Sequence, residues 1–481
     1  MLTMVKENGP LWQFKSAPHQ NSPTVFAVGP FWFSMYVFSN DANTVFGDDM
    51  NQSIWTQEPI LPAFPRLESD LNTDVLIIGG GMAGILCAHE LHQSGVDYTL
   101  VEASTILQGV SGNTTAKITS QHGFIYHKLL RQLGPENAKL YWQANQEGLA
   151  QLQHLANGID CDWECMPNHI YTLGNSALLE KEWHALQQLQ IPAERYESLP
   201  LPFPVAGSIC FPDQAQFHPL KFGAAIAKEL HIYEHTAVRA FEGNTAITDS
   251  GKITANKIIV ATHFPINNKH GLYFLKQYQQ RSYVLALENP PQYPGMYLDV
   301  DEKGLSFRSY GNLLLLGGGS HRTGKEGGCW QELEQFAQIH YPQAHIVCRW
   351  ATQDCITLDS IPYIGQYSFR TPNFFVATGF NKWGMTGSMT AATILSDLVR
   401  GRTNPYADLY APSRSILQPQ LFYNAAESAI HLLKPTTPRC PHLGCALKWN
   451  QAEHSWDCPC HGSRFSETGK LLDNPATGDL E

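Results

Sequence analysis

The sequence of 481 residues contains no stretch of about 18 consecutive apolar residues, the length that a membrane-spanning helix requires. The nearest approach, TVFAVGPFWFSMYVF, is interrupted by Gly29 and Pro30. The sequence also has no Lys/Arg-rich run, and its 32 basic against 43 acidic residues give a net charge of −11. We therefore expect no membrane span and no nucleic-acid partner.

A cysteine framework is also missing, because seven of the eleven cysteines are scattered along the chain. The other four, Cys440, Cys445, Cys458 and Cys460, lie close together near the carboxyl end. This distribution is typical of a reducing compartment with one special site, so we expect a cytoplasmic protein. With 43% apolar residues, the chain is long enough to form two or three globular domains.

The first 49 residues differ in character from the Pro-rich lead-in MNQSIWTQEPILPAFPRLESDLNTD, which begins at Met50. One hypothesis is that translation begins at Met50. We assign residues 1–70 to an amino-terminal extension.

A glycine turn joins a strand to a helix in TDVLIIGGGMAGILCAHELHQSGVDYTLVEA. It reads G-x-G-x-x-G at Gly79, Gly81 and Gly84. The first glycine permits the tight turn, the second lets the backbone approach a pyrophosphate, and the third packs the helix on the strand. Glu102 ends the second strand, where its carboxylate can bind ribose hydroxyls. The segment therefore predicts a dinucleotide-binding domain.

A second glycine group, in LLLLGGGSHRTG, is not followed by an apolar helix or by an acid for a ribose. We interpret it as a turn near the substrate. A reductase fed by NAD(P)H through its own domain would need such a second site. Electrons are therefore expected to come from an organic substrate.

Two later segments indicate which dinucleotide binds. KITANKIIVATHFP is a strand that ends at Ala261, and NFFVATGFNKWGMTGSMTAATILSDLV is a strand, a glycine turn and a long helix. With the loop QGVSGNTTAKITSQHG, the region from about Asp74 to Arg400 resembles the D-amino acid oxidase, or glycine/sarcosine oxidase, class of FAD-dependent oxidoreductases. The resemblance implies FAD as the cofactor. It also implies further FAD-binding residues: Ser111, Gly112, Asn113, Thr114, Thr115 and Ala116 in the loop, Val238 at the adenine, Ala261, and Gly379, Gly384, Met385 and Thr386 at the flavin ring.

The expected fold class is α/β. The periodicity is mostly helical between Gly134 and Leu230 and strand-like from Arg281 to Leu316, which suits an antiparallel-sheet substrate domain inserted into a Rossmann-like FAD-binding domain. We place the oxidoreductase at residues 71–411, a linker at 412–429 and a small all-β module at 430–481.

The candidate catalytic residues are Lys382, His122 and Tyr283. Lys382 is expected beside the flavin ring, where a cation stabilises the negative charge that builds up on reduction. Arg308 and His321 are further candidates, since a substrate carboxylate needs a cation and amine oxidation needs a base. For each of these residues an ordinary structural role is at least as good an interpretation.

The segment RCPHLGCALKWNQAEHSWDCPCHGSRF contains the patterns C-x-H and C-x-x-H, from Cys440 to His442 and from Cys458 to His461. Two cysteines and two histidines are a possible tetrahedral zinc site. The additional Cys445 and Cys460 favour a different centre.

With these extra cysteines, the segment resembles the Rieske [2Fe–2S] proteins of cytochrome bc and b6f complexes. The resemblance implies that Cys440 and Cys458 bind one iron, that His442 and His461 bind the other, and that a disulfide joins Cys445 to Cys460. Imidazole ligation raises the potential of such a cluster to about −150 to +300 mV. The module is shorter than a full Rieske domain, so we expect either that it relies on the flavoprotein for burial or that the disulfide contributes more of its stability than usual.

A flavin accepts two electrons as a hydride and a Rieske cluster takes one at a time, so one chain with both can divide an electron pair. The resemblances imply an FAD-dependent oxidoreductase that oxidises a small organic substrate, preferably an amine or amino acid, and passes electrons through the cluster to an external carrier. The alternatives are a flavin oxidase reoxidised by O2 with a regulatory cluster, and a non-catalytic redox-sensing or electron-transfer module. An oxygenase component is disfavoured because no convincing 2-His-1-carboxylate triad is found.

Overall fold

The computed structural model describes residues 48–480 except 268–269, 302–303, 416 and 436–437, together with four short strands within residues 1–47. The chain divides into two units, residues 1–47 and 48–481. In the first unit, β1 (Thr3–Met4) pairs with β2 (Phe14–Lys15), and β3 (Val25–Val28) pairs with β4 (Phe31–Ser34). The remainder of the predicted extension before residue 48 lies outside the described residues.

The second unit contains a dinucleotide-binding sheet. Its strands are β5 (Leu71–Ile78), β6 (Tyr98–Val101), β11 (Ile232–Tyr233), β12 (Val238–Glu242), β13 (Thr245–Thr248), β14 (Lys252–Val260), β20 (Tyr363–Ser368) and β21 (Thr371–Thr378). The parallel core runs in the order β11, β6, β5, β14, β21. Its apolar strands are buried on both faces, as is typical of parallel sheets.

Nine helices are found in the described part of the chain. They are α1 (Met82–Gln93), α2 (Tyr126–Ala156), α3 (Ser176–Leu189), α4 (Pro219–Ala227), α5 (Tyr273–Lys276), α6 (Cys329–His340), α7 (Gly384–Val399), α8 (Ala407–Tyr410) and α9 (Pro419–Leu433). Short 3-10 turns span Asp48–Asn51, Ile54–Thr56 and Val110–Asn113. Helix α2 is kinked where Gly134, with a φ of 79°, precedes Pro135. None of the described helices has both the length and the apolar character needed to cross a membrane.

A second large sheet forms the inserted domain. Its strands are β7 (Lys117–Ile118), β8 (Glu164–Thr172), β9 (Glu194–Tyr196), β10 (Gly207–Gln216), β15 (Gln277–Glu288), β16 (Met296–Asp299), β17 (Ser306–Tyr310), β18 (Leu313–Arg322) and β19 (His345–Thr357). The strand pairs are antiparallel apart from β16 with β8. The predicted antiparallel insertion is therefore confirmed.

The turn predicted at LLLLGGGSHRTG is wrong, because β18 continues through its three glycines to Arg322. Small residues are needed there for packing rather than for a turn. A Cβ on Gly318 would lie 2.9 Å from side-chain atoms of Leu305 and Leu333, and one on Gly319 would lie 2.2 Å from the carbonyl oxygen of Cys329.

The carboxyl-terminal part forms a four-stranded antiparallel sheet of β22 (Lys448–Asn450), β23 (Ser455–Asp457), β24 (Arg464–Ser466) and β25 (Leu471–Asp473). Helix α9 precedes it and buries the polar residues Asn424, Glu427 and His431. The His431 carbonyl accepts a hydrogen bond of 3.0 Å from the Ala446 backbone amide. Helix α9 continues through residue 429, where the predicted linker ends and the predicted module begins. The domain boundaries at residues 411 and 429 stay a prediction.

Candidate functional site

A cavity of about 1240 Å³ opens at the carboxyl ends of the parallel strands, where ligands bind in open α/β sheets. The glycine turn forms one wall. Gly79 has a φ of +110°, and a Cβ on Gly84 would lie only 1.9 Å from the Gly79 carbonyl oxygen. These two positions therefore require glycine, and they bring the amino end of α1 against the cavity, as a pyrophosphate site needs.

Glu102 lies where the dinucleotide motif predicts a ribose-binding carboxylate. It lines the cavity, and its carboxylate accepts hydrogen bonds from the backbone amides of Gly80 (2.7 Å) and Ser104 (2.9 Å). Burial raises the pKa of Glu102, while these amide donors oppose the rise. The carboxylate is thus fixed in position at the cavity edge.

Most of the residues predicted to bind FAD line this cavity. They are Gly79, Gly81, Glu102, Ser111, Asn113, Thr114, Thr115, Val238, Ala261, Gly384 and Met385. Five others do not line it: Gly84, Gly112, Ala116, Gly379 and Thr386. Thr386, for example, donates a hydrogen bond of 3.0 Å to the Thr119 carbonyl instead.

The amino end of α7 and the turn before it form the far end of the cavity. Lys382 lines it and donates to the Ser320 hydroxyl at 3.3 Å. His122 also lines it, but its Nδ1 lies 2.7 Å from the Tyr141 hydroxyl and its Nε2 lies 2.8 Å from the Thr119 carbonyl. Burial lowers the pKa of His122 to about 3, so this imidazole is neutral. Its ring stacks on Trp383 at 4.9 Å, which indicates a packing role.

The hydroxyl of Tyr283 points towards the carboxyl-terminal module. It donates to Glu453 at 2.8 Å and lies 2.9 Å from His321 Nε2. Arg308 is fully buried and does not line the cavity. The catalytic roles of Lys382, His122 and Tyr283 stay predictions.

Two loops of the same shape present the four predicted iron ligands. In the first, the Cys440 amide donates to the Cys445 carbonyl (2.9 Å) and the Gly444 amide donates to the Cys440 carbonyl (2.8 Å). In the second, the Cys458 amide donates to the Ser463 carbonyl (2.8 Å) and the Gly462 amide donates to the Cys458 carbonyl (2.9 Å). The two ligand pairs are therefore presented by matching backbone turns.

The ligand atoms face one another as a metal centre requires. Nδ1 of His442 lies 3.3 Å from Nδ1 of His461, close to the roughly 3.4 Å expected for two imidazoles on one tetrahedral ion. His442 Nε2 is buried without a hydrogen-bond partner among the described residues. Hydrogen bonds from Cys440, Cys445 and Cys460 lower the pKa of the Cys458 thiol, which favours the thiolate that binds iron. The residues present fit an iron–sulfur cluster.

The disulfide predicted between Cys445 and Cys460 is not formed. Both residues are free thiols, and their sulfurs group with that of Cys458 within 4.8 Å of one another. A disulfide requires an S–S distance near 2.05 Å, so three converging thiols are present where a two-cysteine bridge was expected.

Comparisons with known proteins agree with both parts of this geometry. Residues 74–398 match the family "FAD dependent oxidoreductase", and residues 422–481 match "Rieske [2Fe-2S] domain". The chain belongs to the FAD-dependent oxidoreductase family. Its cofactors are FAD and a [2Fe–2S] cluster, as predicted.

Relatives of this FAD-dependent oxidoreductase include YhfW of Bacillus subtilis, named as a Rieske 2Fe-2S iron-sulfur protein. The two are 36% identical over 92% of this chain and 99% of the relative. The gamma-glutamylputrescine oxidoreductase of Escherichia coli is 24% identical over 72% of this chain and 88% of its own length. The structure of glycine oxidase from Geobacillus kaustophilus aligns with a TM-score of 0.61 at 20% identity, covering 72% of this chain and 99% of that one, and so supports the fold.

Sequence reasoning missed several residues of the oxidoreductase cavity. Lys117 and Asp354 line it with ionisable groups, and Thr262 and His263 extend the wall begun by Ala261. Lys117 lies within the segment that resembles the FAD loop, but a single lysine forms no motif that would indicate a functional role. Residues 470–474 and 476–479 of the Rieske domain also line the cavity, and nothing in their sequence indicated this.

Proposed function

We propose that the enzyme oxidises a small organic amine or amino acid in the FAD cavity and passes the electrons one at a time through the Rieske cluster to an external acceptor, in the cytoplasm. When bound, FAD supplies two-electron hydride chemistry and the cluster supplies one-electron transfer at a raised potential. The protein contributes a shared wall, the positions of the cluster loops and the polar groups of the cavity.

One observation carries this proposal: a single segment separates the cavity from the cluster loops. Thr262 and His263 line the cavity, and the ring of the next residue, Phe264, contacts the ring of His442 at a centroid distance of 6.2 Å. Asn474 of the Rieske domain donates to the carbonyl oxygens of Thr262 (2.5 Å) and Phe264 (3.1 Å). The two redox sites are therefore separated by one layer of protein.

Strand β15 gives a second link between the two sites. Gln280 lines the cavity, whereas the neighbouring Gln279 points to the other face and donates to the carbonyl oxygens of His461 and Asn474, both at 3.0 Å. A Cβ on Gly462 would lie 2.6 Å from Gln279, so the cluster loop touches this strand closely. The loop is held by the sheet that forms the cavity wall.

The amine class is supported by the cavity chemistry and by the relatives. Asp354 lines the cavity, and burial raises the pKa of its carboxyl against the opposing effect of Lys382, His263 and Arg281. In its ionised form, the Asp354 carboxylate can pair with the ammonium group of an amine substrate. The names of the gamma-glutamylputrescine oxidoreductase and glycine oxidase relatives also point to substrates that contain an amino group.

The proposal is tested by mixing the oxidised holoenzyme anaerobically with a panel of primary amines, amino acids and hydroxy acids. Bleaching of the flavin near 450 nm followed by the electron paramagnetic resonance signal of a reduced cluster is the expected result. His442→Ala should keep the bleaching and abolish the cluster signal, whereas His454→Asn, on the same module, should keep both. His454 has a φ of 49°, which asparagine tolerates.

Two results of this experiment would contradict the proposal. If amines bleach the flavin, the cluster stays oxidised, and admitting O2 restores the flavin absorbance, electrons do not leave through the cluster. If no compound in the panel bleaches the flavin, the substrate class is wrong.

A further inference from the structure

A buried lysine faces the cavity at the end formed by the inserted sheet. Lys117, on β7, has 9% of its surface exposed and lines the cavity. Its Nζ lies 2.6 Å from the Ser306 hydroxyl and 3.3 Å from the Thr115 hydroxyl. Both neighbours are neutral, and each hydroxyl is able to donate to an amine as well as to accept from an ammonium.

Lys117 has no carboxylate partner within the part of the chain that the structure describes. Lysines that do form ion pairs with carboxylates include Lys221, Lys252 and Lys325. Buried lysines without a counter-ion lose the proton more readily, because a charge in an apolar environment is poorly solvated. The position therefore favours the neutral amine.

A second buried cation, Arg308 on β17, adds to this effect. Its guanidinium donates to the Gln216 side chain (2.7 Å) and to the carbonyl oxygens of Phe217 (2.9 Å) and Thr115, so neutral groups hold it in place. Burial, and then repulsion from Arg308, lowers the pKa of Lys117 to about 7.

The acids on the same side of the cavity do not cancel this effect. Asp299 and Asp301 line the cavity, and the Asp299 carboxylate accepts a hydrogen bond of 3.0 Å from the Asp301 amide. Burial raises the pKa of Asp299, so it holds its negative charge less readily. We therefore expect the Lys117 amine to be largely unprotonated at slightly alkaline pH.

We propose that Lys117 is a catalytic base that accepts a proton from the ammonium group of an amine substrate. The inference rests on the proposed function, which supplies the substrate class. The substrate ammonium, on a carbon that also bears a hydrogen, gives one proton to Nζ of Lys117 and becomes a neutral amine. The nitrogen lone pair then forms the C=N bond as the adjacent C–H bond breaks and its hydrogen leaves with both electrons as a hydride to bound FAD. The product is the iminium cation.

The first test measures the proton affinity of Lys117 without any substrate. The holoenzyme is exposed briefly to limiting acetic anhydride between pH 5 and pH 11, and peptide mass spectrometry follows each lysine. Lys117 should reach half of its maximal labelling near pH 7. Lys221, whose pKa is raised by its hydrogen bond to Asp162, is the matched control and should react only at much higher pH.

Two labelling results would overturn the proposal. The first is a Lys117 that titrates together with Lys221, because a lysine protonated at neutral pH is no base. The second is a Lys117 that stays unlabelled up to pH 11, because such a lysine does not face the open cavity.

The second test uses the amines that bleach the wild-type flavin in the anaerobic screen. Lys117→Met should slow flavin reduction at pH 7 by at least about 100-fold, as is typical for loss of a general base, and should remove the rise in rate near pH 7. The defect should shrink at high pH, where the substrate amine is already neutral. Lys117→Arg should be as slow as Lys117→Met, whereas Lys221→Met should resemble the wild type.

The kinetic outcomes separate this inference from the proposed function. If no amine reduces the wild-type flavin, the proposed function fails, while the labelling test still decides the state of Lys117. If amines reduce the wild type and Lys117→Arg stays fast, Lys117 serves as a cation for a substrate carboxylate and the base assignment is wrong.

Discussion

Glu453 is the residue whose loss should most directly separate the Rieske domain from the oxidoreductase. Its side chain is 8% exposed and binds Arg281, which lies on the oxidoreductase strand β15 and is 4% exposed. It also accepts from Arg464 of its own domain at 2.8 Å and from the Tyr283 hydroxyl at 2.8 Å. Glu453→Gln keeps the shape of this contact and removes the charge.

The charges around the Glu453 carboxylate set how much folding stability the substitution should remove. Burial alone would raise the pKa of Glu453, but Arg281 and Arg464 reverse this and bring it to about 2. A change of one pKa unit corresponds to about 1.4 kcal/mol, so a fall of the Glu453 pKa from the ordinary 4.5 to about 2 stabilises the folded protein by roughly 3 kcal/mol at neutral pH. Breaking a buried ion pair typically costs about 3–5 kcal/mol, so the two estimates agree. The lower value is expected because Arg464 keeps Asp457 at 3.0 Å.

The assay is urea unfolding of the holoenzyme, followed by the visible circular dichroism of the cluster. At pH 7, Glu453→Gln should lower the free energy of unfolding by about 3 kcal/mol. The exposed control Glu467→Gln should leave it almost unchanged. Because the pKa of Glu453 is lower in the folded state, its contribution is present above about pH 4.5 and is lost as the pH falls towards 2. The difference in the free energy of unfolding between wild type and Glu453→Gln should therefore become smaller as the pH falls from about 4.5 towards 2. A loss at pH 7 no larger than that of the control would refute the reasoning.

Two further substitutions test the contact with the cluster loop and the glycine turn. Gln279→Leu removes the donor to the His461 carbonyl, which should lower the stability of the Rieske domain by about 1–3 kcal/mol. With both cofactors still bound, the variant should also show slower cluster reduction in stopped-flow mixing. An unchanged rate would show that this contact does not position the cluster. Gly84→Ala places a Cβ 1.9 Å from the Gly79 carbonyl oxygen, so the purified variant should lack flavin absorbance, whereas Gly174→Ala, with open space around it, should retain FAD.

Local sequence patterns were sufficient to predict both cofactors. The glycine turn at Gly79 and Gly84 and the predicted cluster ligands His442 and His461 belong to short motifs in which a few adjacent residues set the backbone. The required geometry spans only one turn or loop, so spacing along the chain determines it.

The contacts between distant residues were decided by the tertiary structure alone. Burial, and then repulsion from Arg308 on another strand of the inserted sheet, lowers the pKa of Lys117. Phe264 meets His442, and residues of the Rieske tail reach the FAD cavity, although each pair is far apart in sequence. Burial and electrostatic interaction depend on which groups the fold brings together, and no local pattern records them. A short motif therefore identifies a cofactor, whereas the proton acceptor and the shared wall become visible only after the chain has folded.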